Sequence, residues 1–168
     1  MQVYFGRGKG KTAAALGQGF RATGHGFKVY MIQFMKGYPQ YGEVKAIEKT
    51  PNFELKQFGS PDLIATPRDI DFEEGRKGIE FAEKIIVSDE YDIVILDEIG
   101  VAIEYGIVKI DDVLKLIDIK PEKVELIITG GPKMHPKIKE RADLLTEMRM
   151  IKHYYSAKGI KARFGIEH

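Results

Sequence analysis

The chain has no cysteine and no tryptophan, a single asparagine (Asn52), and no apolar run approaching the roughly 18 residues that read as a membrane span. Without cysteine there is no disulfide framework, no thiolate metal site and no cysteine nucleophile. Four scattered histidines give no zinc-binding spacing. No basic stretch followed by a short apolar one marks a secretory leader, and no fixed period marks a repeat array. Charge of one sign is missing too: 26 Lys and Arg stand against 25 Asp and Glu. A domain that neutralises a phosphate backbone in bulk needs a net basic face, so nucleic acid is not an expected partner. The expectation is a cytoplasmic chain with neither nucleic acid nor membrane as partner.

What is present is the composition of a globular domain, 43% hydrophobic and 30% charged, with no Ser-, Gln- or Pro-rich tract. At 168 residues it fits one domain with a sizeable core. Five near-continuous apolar runs, at 2–5, 28–34, 53–58, 91–98 and 124–130, lack polar alternation, as strands covered on both faces do. Helical segments lie between them at Lys11–Thr23, Asp69–Ser88, Asp111–Asp118 and Pro136–Ala142. Strand alternating with helix predicts a doubly wound α/β fold with a mostly parallel sheet. The apolar stripe of the second long helix reads as Phe72, Ile79, Phe81, Ala82, Ile85 and Ile86, and "GSPDLIATPRD" (59–69) reads as a loop. A further strand is expected over about 144–152, followed by a tail that folds back as a short strand.

The chemistry concentrates in "GRGKGKT", residues 6–12, which follows an apolar strand and opens a helix. That is the context of a phosphate loop: glycines turn the backbone so that N–H groups and the helix N-terminus face the phosphates. Lys11 then reaches phosphate oxygens and the Thr12 hydroxyl ligates Mg²⁺. Phe5 stands where the G-x-x-x-x-G-K-[ST] spacing requires the first glycine, so this loop is one residue tight. The plainer alternative is a basic segment beside which a helix happens to begin. "YDIVILDE" (91–98) supplies the partner, a buried strand delivering Asp97 and Glu98 to the sheet edge where α/β proteins bind ligands. A hard cation shared with a nucleotide wants one or two carboxylates and a hydroxyl. Those carboxylates as mere caps of the next segment are the competing reading.

The stretch "GRGKGKTAAALGQGFRATGHGFKVYMIQFMKG" resembles, almost position for position, the amino-terminal region of the P-loop ATP:corrinoid (cob(I)alamin) adenosyltransferases. The resemblance continues through "YGE" (41–43), "YDIVILDEIGVAIEYGIV" (91–108), "TGG" (129–131), "ADLLTEMRMIKH" (142–153) and "GIKARFGIEH" (159–168), and weakens over 44–90. It implies a single three-layer, P-loop NTPase-like (RecA-like) domain over 1–168. It also implies transfer of the 5′-deoxyadenosyl group of ATP to the Co(I) of a reduced corrinoid, releasing triphosphate, in adenosylcobalamin synthesis or salvage. ATP would lie across the loop in the reverse of the usual direction. Carried over, Gly6, Arg7, Gly8, Lys9, Gly10, Lys11 and Thr12 form the triphosphate loop, with Ala13 following and Arg21 matching an arginine further along the helix. Thr12 and Glu98 fall on the Mg²⁺ site, with Asp97 beside it; Lys11, Glu98 and Asp97 are the expected catalytic set. Gln33, Lys36 and Gly37 match the end of the second strand, and Gln33, Lys36 and Phe58 are the residues expected on the corrinoid side. A reductase or electron-transfer protein supplying Co(I), and a homodimer, are the partners implied.

The chain departs from the family pattern at Gly131, where an arginine is usual, with Lys133 as its candidate substitute. Phe58 and Phe72 are the rings nearest the loop where characterised members carry the aromatic residues thought to displace the corrinoid's lower ligand. Two other classes share the same loop: a phosphohydrolase or small-molecule kinase, and a non-catalytic ATP-binding module.

Overall fold

A computed structural model describes residues 1–61 and 66–167. Six strands form one sheet: β1 (Gln2–Phe5), β2 (Val29–Phe34), β3 (Phe53–Phe58), β4 (Ile93–Asp97), β5 (Glu125–Gly130) and β6 (Leu144–Glu147). Their order is β3-β2-β4-β5-β1-β6 and every pair is parallel. The helices are α1 (Lys11–Thr23), α2 (Gly42–Ile47), α3 (Asp69–Val87), α4 (Ile99–Glu104), α5 (Ile110–Ile119), α6 (Pro136–Arg141) and α7 (Tyr154–Lys158). One sheet face carries Ile32, Phe34, Leu96 and Ile128 against α3, α4, α5 and α6; the other carries Met31, Ile95 and Ile127 against α1 and α2. This is the three-layer α/β sandwich that the alternation of strand and helix predicts, and both faces of β4 are buried throughout.

Parallel strands all point the same way, so their carboxyl ends gather at one edge, and the loops following β1, β2, β4 and β5 meet there. Among the described residues no helix is long and apolar enough to cross a membrane.

Several expectations need correction. β6 ends at Glu147, not near 152, and the tail forms α7 and turns where a returning strand was expected. The buried positions of α3 are Asp71, Gly75, Gly78, Ala82 and Ile86, whereas Phe72 is 44% exposed. Glycines make that seam: a Cβ on Gly78 would stand 2.6 Å from the Phe34 ring, so the helix settles closer to the sheet than a row of large side chains allows. Residues 62–65 of the loop expected over 59–69 lie outside the described residues.

Candidate active site

A polar row runs across the carboxyl ends of the strands on the face that meets α1. Strand register places Gln57 beside Gln33 and Gln33 beside Asp97, and Thr129 lies opposite Tyr4. Asp97 is fully buried and accepts four hydrogen bonds. Thr12 Oγ1 (2.9 Å) and Thr129 Oγ1 (2.7 Å) donate to Oδ1; Lys36 Nζ (2.8 Å) and Gln33 Nε2 (3.1 Å) donate to Oδ2. Gln57 Nε2 in turn donates to Gln33 Oε1 at 3.0 Å, and Glu43 of α2 accepts from Gln33 at 3.2 Å and faces Lys36 at 3.7 Å. A carboxylate offers about four lone-pair sites, so Asp97 is saturated and its buried charge is compensated. Burial works against the charge of Lys36, but the Asp97 carboxylate and the hydrogen bond to it outweigh that and hold the ammonium above its ordinary pKa, with smaller help from Glu98 and Glu43.

Glu98 is placed differently. It sits past the end of β4 in the left-handed region, at φ 60, a conformation uncommon outside glycine, and its backbone N–H donates to Thr129 Oγ1 at 2.8 Å. Burial and the neighbouring Asp97 charge push its carboxyl up, against the opposing pull of Lys36 and Lys11. Two acidic groups side by side, one saturated and one held reluctant to ionise, meet the loop lysine and threonine at this edge.

The loop between β1 and α1 is built from both sides. Gly10 caps α1 at φ 116, and Lys11 Nζ folds back to donate to Gly8 O at 2.8 Å. Gly8 N–H donates to Met148 O at 2.6 Å, just past β6, and Met148 N–H donates to Phe5 O at 2.7 Å. A Cβ on Gly6 or Gly8 would stand 2.5 or 2.7 Å from that Met148 oxygen, so the glycines are demanded by the strap as well as by the turn. Lys9 points outward to the tail: Glu167 Oε1 (2.8 Å), Ile166 O (3.0 Å) and Tyr154 OH (3.3 Å) accept from its ammonium.

Of the residues expected at a site, Lys11, Thr12, Gln33, Lys36, Asp97 and Glu98 come together. Arg7 and Ala13 are exposed beside them. Arg21 lies ten residues beyond Lys11 on α1, about 15 Å away along the helix, exposed and within electrostatic reach of the Tyr4 phenol. Phe58 is buried in the core on the opposite sheet face, its ring 5.4 Å from that of Phe81, and Gln33 is likewise fully enclosed. Lys133 is paired with Glu104 at 3.0 Å and largely exposed, while Gly131 O accepts from Gly6 N–H at 3.4 Å. Thr129, Gln57, Glu43 and Met148 were not foreseen. Thr129, Glu43 and Met148 did lie in stretches that carry the resemblance, "TGG", "YGE" and "ADLLTEMRMIKH", whereas Gln57 lay in none.

A glycine loop between the first parallel strand and a helix, its threonine tied to a buried acid ending a neighbouring strand, defines a nucleotide-binding α/β protein of the phosphate-loop kind. The particular family follows from comparison with known proteins. Residues 1–168 match the family described as ATP:corrinoid adenosyltransferase BtuR/CobO/CobP, and the chain belongs to that family. A corrinoid adenosyltransferase of Escherichia coli (strain K12) is 34% identical over 167 residues, covering 99% of this chain and 84% of the relative. One from Pseudomonas aeruginosa is 34% identical, covering 98% and 81%. The corrinoid adenosyltransferase CobA of Salmonella typhimurium is 32% identical, covering 99% and 84%.

Proposed function

We propose that this chain transfers the 5′-deoxyadenosyl group of ATP to the Co(I) of a reduced corrinoid, with triphosphate as the leaving group. The observation that carries the reading is the 2.9 Å hydrogen bond from Thr12 to Asp97, which ties the phosphate loop to the acidic end of β4. In the reaction the cobalt electron pair forms the Co–C5′ bond while the C5′–O bond breaks, its electrons leaving with the triphosphate. Co(I) is itself the nucleophile, so no general base is required for the attack. The protein's tasks are to hold the two reactants in line and to stabilise charge growing on the triphosphate. Lys11 serves the second task by exchanging its Gly8 carbonyl for a phosphate oxygen, next to the N-terminus of α1.

Among the described residues no cluster of three or more His, Cys, Asp or Glu side chains forms a cation cage. The donor set fits the other way of binding Mg²⁺, through a hydroxyl and a carboxylate with phosphates completing the shell. Thr12 and Glu98 would hold the ion, and the mutual repulsion of Asp97 and Glu98 is what a cation there relieves. Bound Mg²⁺ would neutralise charge on the triphosphate. Asp97 orients the Thr12 hydroxyl, and the Lys36 ammonium pairs with Asp97 at 2.8 Å.

The finer parts of the reading are a separate reductase or electron-transfer protein as the source of Co(I), and association as a homodimer. The free sheet edge at β6, with Leu144 and Leu145 each 45% exposed, is compatible with association. Anaerobic incubation with ATP, Mg²⁺ and cob(I)alamin tests the whole. Appearance of the adenosylcobalamin spectrum with stoichiometric triphosphate supports it; ADP and phosphate without a new cobalt–carbon bond overturns it in favour of a phosphohydrolase or kinase.

A further inference from the structure

The terminal motif "KGIKARFGIE" has no part in the chemistry above, yet it reaches the phosphate loop. Glu167 receives hydrogen bonds from Arg163 through its backbone N–H (2.8 Å), Nε (3.2 Å) and a terminal nitrogen (3.1 Å), from Lys9 (2.8 Å), and from the Tyr154 hydroxyl. The Arg163 guanidinium lies 4.5 Å above the Tyr154 ring, and the Lys9 ammonium lies 6.0 Å from the same ring. Further along, the Phe164 ring stands 6.0 Å from Lys45 of α2, so the segment crosses from the β6 edge over the loop towards the far side of the sheet. An ammonium has three N–H donors, and all three of Lys9 meet acceptors on this segment.

We propose that Lys9 is the anchor of the segment spanning Tyr154 to Glu167, and that Glu167 is a positioning residue which acts through Lys9 to fix the phosphate loop. The physical need is local. Lys9 stands between Gly8 and Gly10, so its backbone is flanked by the two most permissive residues available, and ordering such a loop on binding costs conformational entropy. A side chain clamped from outside removes part of that freedom before the nucleotide arrives. An isolated exposed ion pair would do little, but this one belongs to a network in which a carboxylate is held by arginine, lysine and tyrosine together. The role differs from that of a phosphate ligand: Lys9 holds the loop, and Gly10, Lys11 and Thr12 meet the nucleotide. The inference rests on the proposed ATP-binding role of that second half of the loop.

Limited trypsin digestion of the full chain reads the anchor without any nucleotide, because Lys158, Lys161 and Arg163 lie inside the clamped segment. In Lys9→Gln and Glu167→Gln, cleavage at these sites should accelerate by about 5-fold, a loss typical of a well-formed surface ion pair. Glu167→Asp, which keeps the charge, should restore most of the protection. In the adenosylation assay both single variants should raise KM for ATP by a similar factor with kcat little changed, and the double variant should be no worse than either, as for two residues acting as one unit. Wild-type cleavage rates in Glu167→Gln overturn the proposal. So does a Lys9→Gln defect that Glu167→Gln does not share, or a double variant whose losses multiply, since either makes Lys9 an independent phosphate ligand. If the wild-type protein forms no adenosylcobalamin, the proposed reaction fails on its own, and the trypsin rates still decide the anchor.

Discussion

From Gly6 to Lys9 the phosphate loop leans outward on Met148 and the terminal segment, whereas from Gly10 to Thr12 it turns inward onto the end of β4. The outer half is held by backbone contacts and by charges at the surface; the inner half is held by a buried carboxylate that accepts four hydrogen bonds. Surface charges are screened and individually weak, while a buried charge is costly to strand. Damage to the inner half should therefore strike stability and chemistry hard, and damage to the outer half should misplace the loop at smaller cost.

The comparison is strained most by Asp97→Ala. Removing a fully buried carboxylate leaves the Lys36 ammonium with Glu43, at 3.7 Å, and the pull of Glu98, and frees two hydroxyls and an amide from their acceptor. A loss of about 3–5 kcal/mol is expected by urea unfolding, as for a broken buried ion pair. A loss under about 1 kcal/mol, the range of a surface pair, would erase the distinction between the halves. Next comes Lys11→Ala, whose side chain is only partly buried, so the fold should persist. Its kcat in adenosylation should fall by about 10²- to 10³-fold, the range for removing one charge-stabilising donor. Equal losses from Lys9→Gln and Lys11→Ala would mean that the two lysines do the same job.

How far the sequence could reveal this depended on burial. β4 was legible because a strand covered on both faces writes itself as an uninterrupted apolar run, and the order strand, glycine loop, helix located Lys11 and Thr12. That Gln57, Gln33 and Thr129 line up in one polar row with Asp97 was not legible, since they come from three strands whose neighbours are set by topology and not by local pattern. The helices α2, α4 and α7, each six residues or fewer, are too short for a helical period to stand out. Phe72 misled because the seam of α3 is lined with glycine, which carries no hydrophobic signal at all. In the tail, Gly159 at φ 65 closes α7 where a returning strand was expected.

Gly8→Ala probes the outer half directly. Its added methyl would stand 2.7 Å from Met148 O, so the strap or the loop must move, and about 1–3 kcal/mol should be lost. Gly17→Ala in α1 is the control: nothing lies within 4 Å of the new methyl, and thermal unfolding should show a gain of about 0.5–1 kcal/mol. If Gly8→Ala matches that control, the strap does not constrain the loop.

The smallest expected change in stability is that of Glu98→Gln, and its sign comes from linkage. Burial, with the Asp97 charge, raises the carboxyl of Glu98 in the folded protein above its unfolded value. Its contribution is therefore fully present below the unfolded pKa and is lost as pH rises through the folded one. Above the unfolded pKa, near neutral pH included, the raised carboxyl of Glu98 costs the wild-type protein stability, so the glutamine variant should be the more stable of the two, with a higher urea midpoint and an unchanged slope. At acid pH, where both side chains are neutral, the difference should close. Activity should run in the opposite direction. A cation ligand must be ionised, so wild-type turnover should fall on acidification at a higher pH than an ordinary carboxylate would give, and the variant should be poor at every pH. A glutamine variant less stable than wild type at neutral pH would mean that Glu98 is stabilised by its surroundings, and that the tension assigned to the inner half of the loop lies elsewhere.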